Sequence, residues 1–207
     1  ACGVLVDRAA QGGQVRRGAG GLAAVIARSL SDPGPGSWDP RAIHVVEGAL
    51  VRQPYPMIRT PDAAAPGGMR TTLVVAQGKC TSALKLGAGE GRLVAARGGL
   101  VERRGRRMLE VPFDLDKWLD EKAQEAPQAL VAPVVEHFGT VRLSGEVMDS
   151  KCFFGVMRPA RGQTHKACAA LCIRGGIPPS FWARDATGRE SVLLMTAADG
   201  GPVGDDI

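Results

Sequence analysis

Cys152, His165, Cys168 and Cys172 place three thiols and an imidazole within one short stretch near the C-terminal end of the chain. No other stretch has this density: Cys2, Cys80, His44 and His137 lie scattered, with no comparable spacing. Three cysteines and one histidine have the number and donor types of a closed, tetrahedral structural zinc site. The spacing agrees with that chemistry. Thr164 is a candidate N-cap, Gly175-Gly176 followed by Pro178-Pro179 is a stop, and the residues between read as a helix. At about 100° per residue, His165, Cys168 and Cys172 fall within roughly 60° of one another and share one face. Cys152, expected at the end of the preceding strand, completes the set and ties that strand to the helix.

Other chemistries use the same residues. An iron–sulfur cluster is the runner-up to zinc for such a ligand set, and an exported protein favours a disulfide. Cys168 and Cys172 make a poor disulfide, because Cβ atoms four residues apart on a helix are about 5 to 6 Å apart and a disulfide wants about 3.5 to 4.5 Å. Cys152 with either helical cysteine stays open, at the cost of stranding one thiol and leaving His165 without a role. Inert buried thiols are the plain alternative. Lys151, Lys166, Arg158 and Arg174 are close in sequence and favour thiolates. No Cys-x-x-Cys, Gly-x-Ser-x-Gly or His-Glu-x-x-His occurs, and His44 and His137 have no visible acid or nucleophile partner. A non-enzymatic role is therefore expected, with a redox or electron-transfer subunit as the alternative.

The elements that position these residues read as strands. With 28 glycines and 14 prolines in 207 residues, turns and short strands are favoured over long helices. Residues 1–40 read as a flexible leader or tether with a short helix over 22–30. Residues 41–112 read as a β domain: a long strand from Ile43 bending at Gly48, a strand over 69–76, a short connector over 82–86, and a hairpin of Arg92–Arg103 and Arg106–Val111 turning at Gly105. That succession resembles a small Greek-key barrel of the OB type. Residues 113–139 read as a helical linker, with Asp114 capping an acidic helix over 114–123. Residues 140–207 open with Thr140–Asp149, which repeats the mid-strand glycine of the first unit, and continue with a hairpin from Phe181 to Met195 turning at Asp185–Gly188. The expectation is mainly β with short helices: two tandem OB-like barrels, the second incomplete in this chain and closed by another segment or a partner.

The run Gly145-Glu146-Val147-Met148-Asp149-Ser150-Lys151-Cys152, with Gly155-Val156-Met157-Arg158-Pro159, His165-x-x-Cys168-x-x-x-Cys172 and Gly175-Gly176-Ile177-Pro178-Pro179, resembles a family of largely uncharacterised bacterial proteins. The resemblance spans about residues 42–207 and implies an exported or membrane-tethered protein of the cell envelope, without implying an activity. Members of that family tend to carry N-terminal membrane segments and a longer C-terminus. The chain itself has no apolar run of about 18 residues. It begins with Ala, so a missing N-terminal anchor is one expectation, and Ala1-Cys2-Gly3 as the tail of a lipobox is a variant of it; an incidental Cys2 is the other.

The remaining motifs are weaker. A net charge of +5 suits anionic surfaces, but with 4% aromatic residues a nucleic acid finds few stacking platforms, so nucleic-acid binding stands third. Arg103 to Arg107 reads as a solvated hairpin tip rather than a phosphate contact. Gln53 to Met57, with the sole tyrosine, reads as a strand exit, and Gly87 to Gly91 lacks the Lys and helix of a phosphate loop. Cys80 reads as a plain thiol. No small-molecule substrate is indicated.

Overall fold

The computed structural model describes residues 36–203, apart from 88 and 133–135. The expected tether, its helix and Cys2 therefore lie outside the described residues up to position 35. The fold is mainly β with a few short helices. Its first part is a closed five-stranded barrel formed by β2 (His44–Val51), β3 (Met57–Pro61), β4 (Met69–Ala76), β5 (Arg92–Arg103) and β6 (Arg106–Val111). Around the barrel the order is β5-β2-β3-β4-β6, and β6 closes the circle by pairing again with β5. All these pairings are antiparallel except β4 with β6, which is parallel.

Closure depends on two long strands that change partner. β2 pairs with β5 as far as Ala49 and with β3 from Ala49 onward, beside the expected bend at Gly48. β5 pairs with β2 up to Gly98 and with β6 from Gly99. At that corner the backbones nearly touch: a Cβ on Gly98 would lie 2.4 Å from the Glu110 carbonyl oxygen, so only glycine fits.

Alternation along the strands feeds two cores. Leu50, Ile58, Val74, Leu109 and Val111 belong to one, with Trp118 from the following loop. Their neighbours Val51, Met57, Leu73, Val75 and Met108 belong to the other, which is completed by Met148, Cys152, Phe153, Phe154, Cys172 and Ile177. Strands covered on both faces read as continuous apolar runs, as Leu73-Val74-Val75-Ala76 does.

The cover begins with β8 (Gly145–Asp149), which forms an open three-stranded antiparallel sheet with β9 (Pro179–Arg184) and β10 (Glu190–Leu194), in the order β10-β9-β8. Between β8 and β9 lie a helical turn, Cys152–Val156, and the cysteine helix, Lys166–Arg174. The described residues of this second unit form no second barrel, and it shares a core with the first. The described residues make one compact unit. Only the second half of the strand expected over 140–149 pairs, because β9 ends at Arg184, opposite the start of β8.

Two other expectations change. The acidic helix expected over 114–123 does not form: the segment makes turns and then a strand, β7 (Leu119–Glu125), paired with the first half of β5. β5 has an open edge there before β6 begins, and tertiary pairing overrides helix propensity; Arg92 donates to the carbonyls of Lys122 and Ala123 at 3.1 and 3.2 Å and holds the strand in place. A short helix does follow, at Gln128–Val131. The Arg103–Arg107 tip is not solvated throughout: Arg103 is buried, with its guanidinium 4.3 Å from the Phe153 ring centroid. Arg104 pairs with Glu190 and Arg106 donates to the Val192 carbonyl, so the tip holds β10. A two-residue strand, β1 (Ser37–Trp38), also pairs with β5. Among the described residues no helix is long and apolar enough to cross a membrane.

A buried charge locks the cover onto the barrel. The Lys151 ammonium donates to the carbonyls of Ala76 (3.0 Å) and Gly78 (2.7 Å) and pairs with Glu110 at 2.8 Å, the two side chains being 3% and 8% exposed. Removing one partner strands a charge in the interior. Lys151→Met is expected to cost about 3–5 kcal/mol in chemical denaturation, and Lys151→Met with Glu110→Leu to recover part of that loss; an unchanged single variant would show that the pair does not hold the two units together.

Candidate metal centre

Asp149, the last residue of β8, organises the approach to the site. It is fully buried, and its two oxygens have two different partners. One accepts the Cys152 backbone N–H at 2.8 Å, capping the helical turn that carries this thiol. The other lies 3.0 Å from Nε2 of His165, itself 3% exposed. Ser150 reinforces the turn through a 2.6 Å hydrogen bond with Ser180 and a backbone bond to Pro178. Cys152 thus sits in the turn after β8 rather than on the strand.

The cysteine helix brings the other two thiols. Cys168 and Cys172, one turn apart, point to the same side, as the spacing predicts. The helix ends where Gly175, Gly176 and Ile177 donate back to Leu171, Ile173 and Cys172. That end docks onto the segment after β4: the Thr81 N–H donates to the Gly175 carbonyl at 2.9 Å. Lys79 also comes so close that a Cβ on Gly175 would lie 1.6 Å from its carbonyl oxygen. Glycine at 175 is what lets the Lys79 backbone reach the helix.

The result is a sulfur cluster beside an ammonium, with Cys152 and Cys172 buried and Cys168 partly exposed. The sulfurs of Cys152, Cys168 and Cys172 all lie within 4.8 Å of one another, and all three are free thiols. Lys79 Nζ contacts Cys168 Sγ at 2.8 Å and Cys172 Sγ at 3.4 Å. The thioether of Met157 lies 3.7 Å from Cys168 Sγ. Asp149, Cys152 and His165 form a second group whose ligand atoms are also within 4.8 Å of one another. The two groups share Cys152 and do not merge into one four-ligand set. Each has the donors to hold a metal ion.

Two of the expected neighbouring cations do not supply the charge. Lys151 is spent on Glu110 and two carbonyls, and Arg158 donates to the Gly36 carbonyl. Lys79, remote in sequence, does so instead. Burial works against its charge, but hydrogen bonding and attraction to Cys168 and Cys172 prevail and raise its pKa. Cys152 and Cys172 polarise each other. The hydrogen bond between them, followed by burial and Asp149, pushes Cys152 up. The same hydrogen bond, aided by Lys79 against burial and Asp149, lowers Cys172 to about 7. At neutral pH Cys172 is about half thiolate, with Cys152 protonated as its hydrogen-bond donor.

No family model, curated protein or solved structure matches this chain. Function therefore follows from the site itself. All four sequence-predicted ligands, Cys152, His165, Cys168 and Cys172, meet in this region, although His165 turns to Asp149 rather than joining all three sulfurs. Lys79, Asp149 and Met157 were not anticipated. Asp149 had a local signal, an acidic residue three positions before a helical turn. Lys79 had none, since it meets Cys168 across 89 positions. Cys80, next to it, is not a plain thiol but disulfide-bonded.

In the metal-free protein the thiolate absorbance of Cys172 is expected to grow in with a midpoint near pH 7. Lys79→Met moves that midpoint upward, because the cation that favours the charged form is gone. A midpoint unchanged in that variant removes Lys79 from the site's electrostatics.

Proposed function

We propose that this chain is a non-enzymatic metal-binding module of the bacterial cell envelope, in which Cys152, Cys168, Cys172 and His165 hold a structural ion, with zinc favoured. The carrying observation is that three unbridged sulfurs from two separate segments, two of them buried, converge within 4.8 Å. The Cys80 disulfide fits an oxidising compartment, where thiols so close to one another persist when a metal holds them. On binding, the ion draws the two groups together at their shared Cys152 and takes His165, whose Nε2 Asp149 holds, as its fourth ligand. A carboxylate on one ring nitrogen fixes the tautomer and leaves the Nδ1 lone pair for a metal. Three thiolates and an imidazole around a divalent ion leave a net charge of about −1, which Lys79 offsets. A closed ligand set leaves no position for a reacting water.

The strand order β2-β3-β4-β6-β5, with its single parallel pair, supports an OB-like reading of the barrel. Nucleic-acid binding draws no support from the Arg103–Arg107 tip, whose arginines engage Phe153, Glu190 and Val192. One observation favours a second reading. The Cys152–Cys172 hydrogen bond and the lowered Cys172 suit a dithiol pair that cycles through a disulfide.

Elemental analysis with an absorption spectrum distinguishes these readings. Stoichiometric, colourless zinc that falls away in Cys152→Ser and His165→Ala is the expected result. A brown, bleachable sample points to iron and sulfur, whereas a metal-free protein with Cys152 and Cys172 bridged sinks the zinc reading in favour of the redox one. Asp149→Asn is expected to weaken zinc about 10–100-fold in a chelator competition, by releasing the His165 ring.

A further inference from the structure

A cavity of about 600 Å³ lies between the barrel's outer face and β10, a size that holds a small molecule. Its floor follows from strand register. Met57 of β3 sits opposite Leu73 of β4, which is level with Met108 of β6, and this row belongs to the covered apolar core. Side chains two residues apart along a strand share a face. The next row on that face is therefore Arg59, Thr71 and Arg106: Arg59 pairs with Thr71, and Arg106 precedes Arg107, the partner of Thr72. All three line the cavity beside Met57 and Leu73, and Phe154, Val192 and Leu194 supply an apolar wall. Neighbouring strands are about 4.8 Å apart, so Arg59 and Arg106 start about 10 Å from each other with Thr71 between them, and two arginine side chains converge on one group from there.

The charges in this cavity have one sign. Arg59, Arg70, Arg106 and Arg107 line it, and no aspartate or glutamate does. Arg70 and Arg107 bring their own counter-charges, Asp62 and Glu102. Arg59 and Arg106 do not: Arg59 donates to the carbonyls of Leu130 and Val131, and Arg106 to that of Val192. Carbonyls fix where a guanidinium lies without neutralising it, and a guanidinium has five N–H donors to share. Among the described residues neither arginine forms an ion pair. Glu90, whose charge reaches Arg59, lies outside the lining and accepts the Arg52 N–H. Glu190 is shared by Arg104 and Arg184. Burial and the Arg104 cation both lower the pKa of Arg106, a cost that a bound anion relieves.

We infer that this cavity binds a small anionic amphiphile, a single hydrocarbon chain ending in a carboxylate or phosphate. The acidic head lies over Thr71 between Arg59 and Arg106, whose planar forks match such groups. The chain runs over Met57 and Leu73 against Phe154 and Leu194. None of the thiol cluster's residues lines the cavity, so the proposal is independent of what that cluster holds.

The test titrates the full chain with dodecanoate and dodecyl phosphate, kept monomeric, followed by calorimetry and by amide shifts of the labelled protein. Saturable one-to-one binding is expected, with shifts concentrated at Met57–Arg59, Met69–Leu73 and Val192–Leu194. Dodecanol, with the same chain and no charge, binds about tenfold more weakly, and Arg59→Gln and Arg106→Gln each weaken dodecanoate by about the same factor. Thr71→Glu sets a carboxylate between the two arginines and abolishes binding. Thr71 is exposed, so this variant reads the site even if Arg59→Gln loosens the helix it holds. The proposal fails if neither amphiphile binds as a monomer, including the case where the protein associates only with phosphatidylglycerol vesicles. It also fails if dodecanol or inorganic phosphate binds as tightly, or if Arg106→Gln and Thr71→Glu leave the affinity unchanged.

Discussion

One side of the barrel's outer face is as apolar as its interior, and the need to bury it organises the rest of the molecule. Val51, Met57, Leu73, Val75 and Met108 alternate with the interior residues and cannot be left in water. Phe153, Phe154 and Ile177 cover them, and these flank the cysteines in sequence. Cys152 and Cys172 are members of the same core, so the thiols lie at the seam between barrel and cover. The chemistry of the site and the packing of the fold are therefore one problem with one solution.

Charges at that seam are few and individually satisfied. Lys151 and Glu110 neutralise each other on one side, and Asp149 divides its oxygens between Cys152 and His165. Lys79 stands against the sulfurs. A buried ion pair adds little net stability over an apolar substitute, but it penalises any misplaced arrangement heavily. Three such groups within one interface fix the register of the cover, which apolar contacts alone would leave looser.

Much of this was legible in the sequence where a pattern is local. The Arg92–Arg103 and Arg106–Val111 hairpin, the turn after Arg184 and the face shared by Cys168 and Cys172 follow from period, turn residues and helical spacing. Asp185 shows why: its Oδ1 accepts the N–H groups of Thr187 and Arg189, a preference written into the turn itself. Leu119–Glu125 misled, because an acidic, exposed segment suits a helix until β5 offers an edge. The first half of Thr140–Asp149 carries strand residues with no strand opposite them. Arg103 was read as solvated because nothing nearby in sequence announces Phe153 above it. Contacts made across many tens of positions, Lys79 with Cys168 above all, leave no mark in any short window.

The Tyr55 hydroxyl donates to the Met195 carbonyl and accepts the Val203 N–H, contacts that span 140 and 148 positions. Together with the shared core, this sets an order of events during synthesis. The five barrel strands leave the ribosome before β8, the cysteine helix and the segment that reaches Tyr55 exist. At about 5–20 residues per second, the nascent barrel shows its apolar outer face for several seconds before its cover emerges. A chain built this way completes its folding late, and for that interval it is a natural client for whatever shields greasy surfaces in the compartment where it is made.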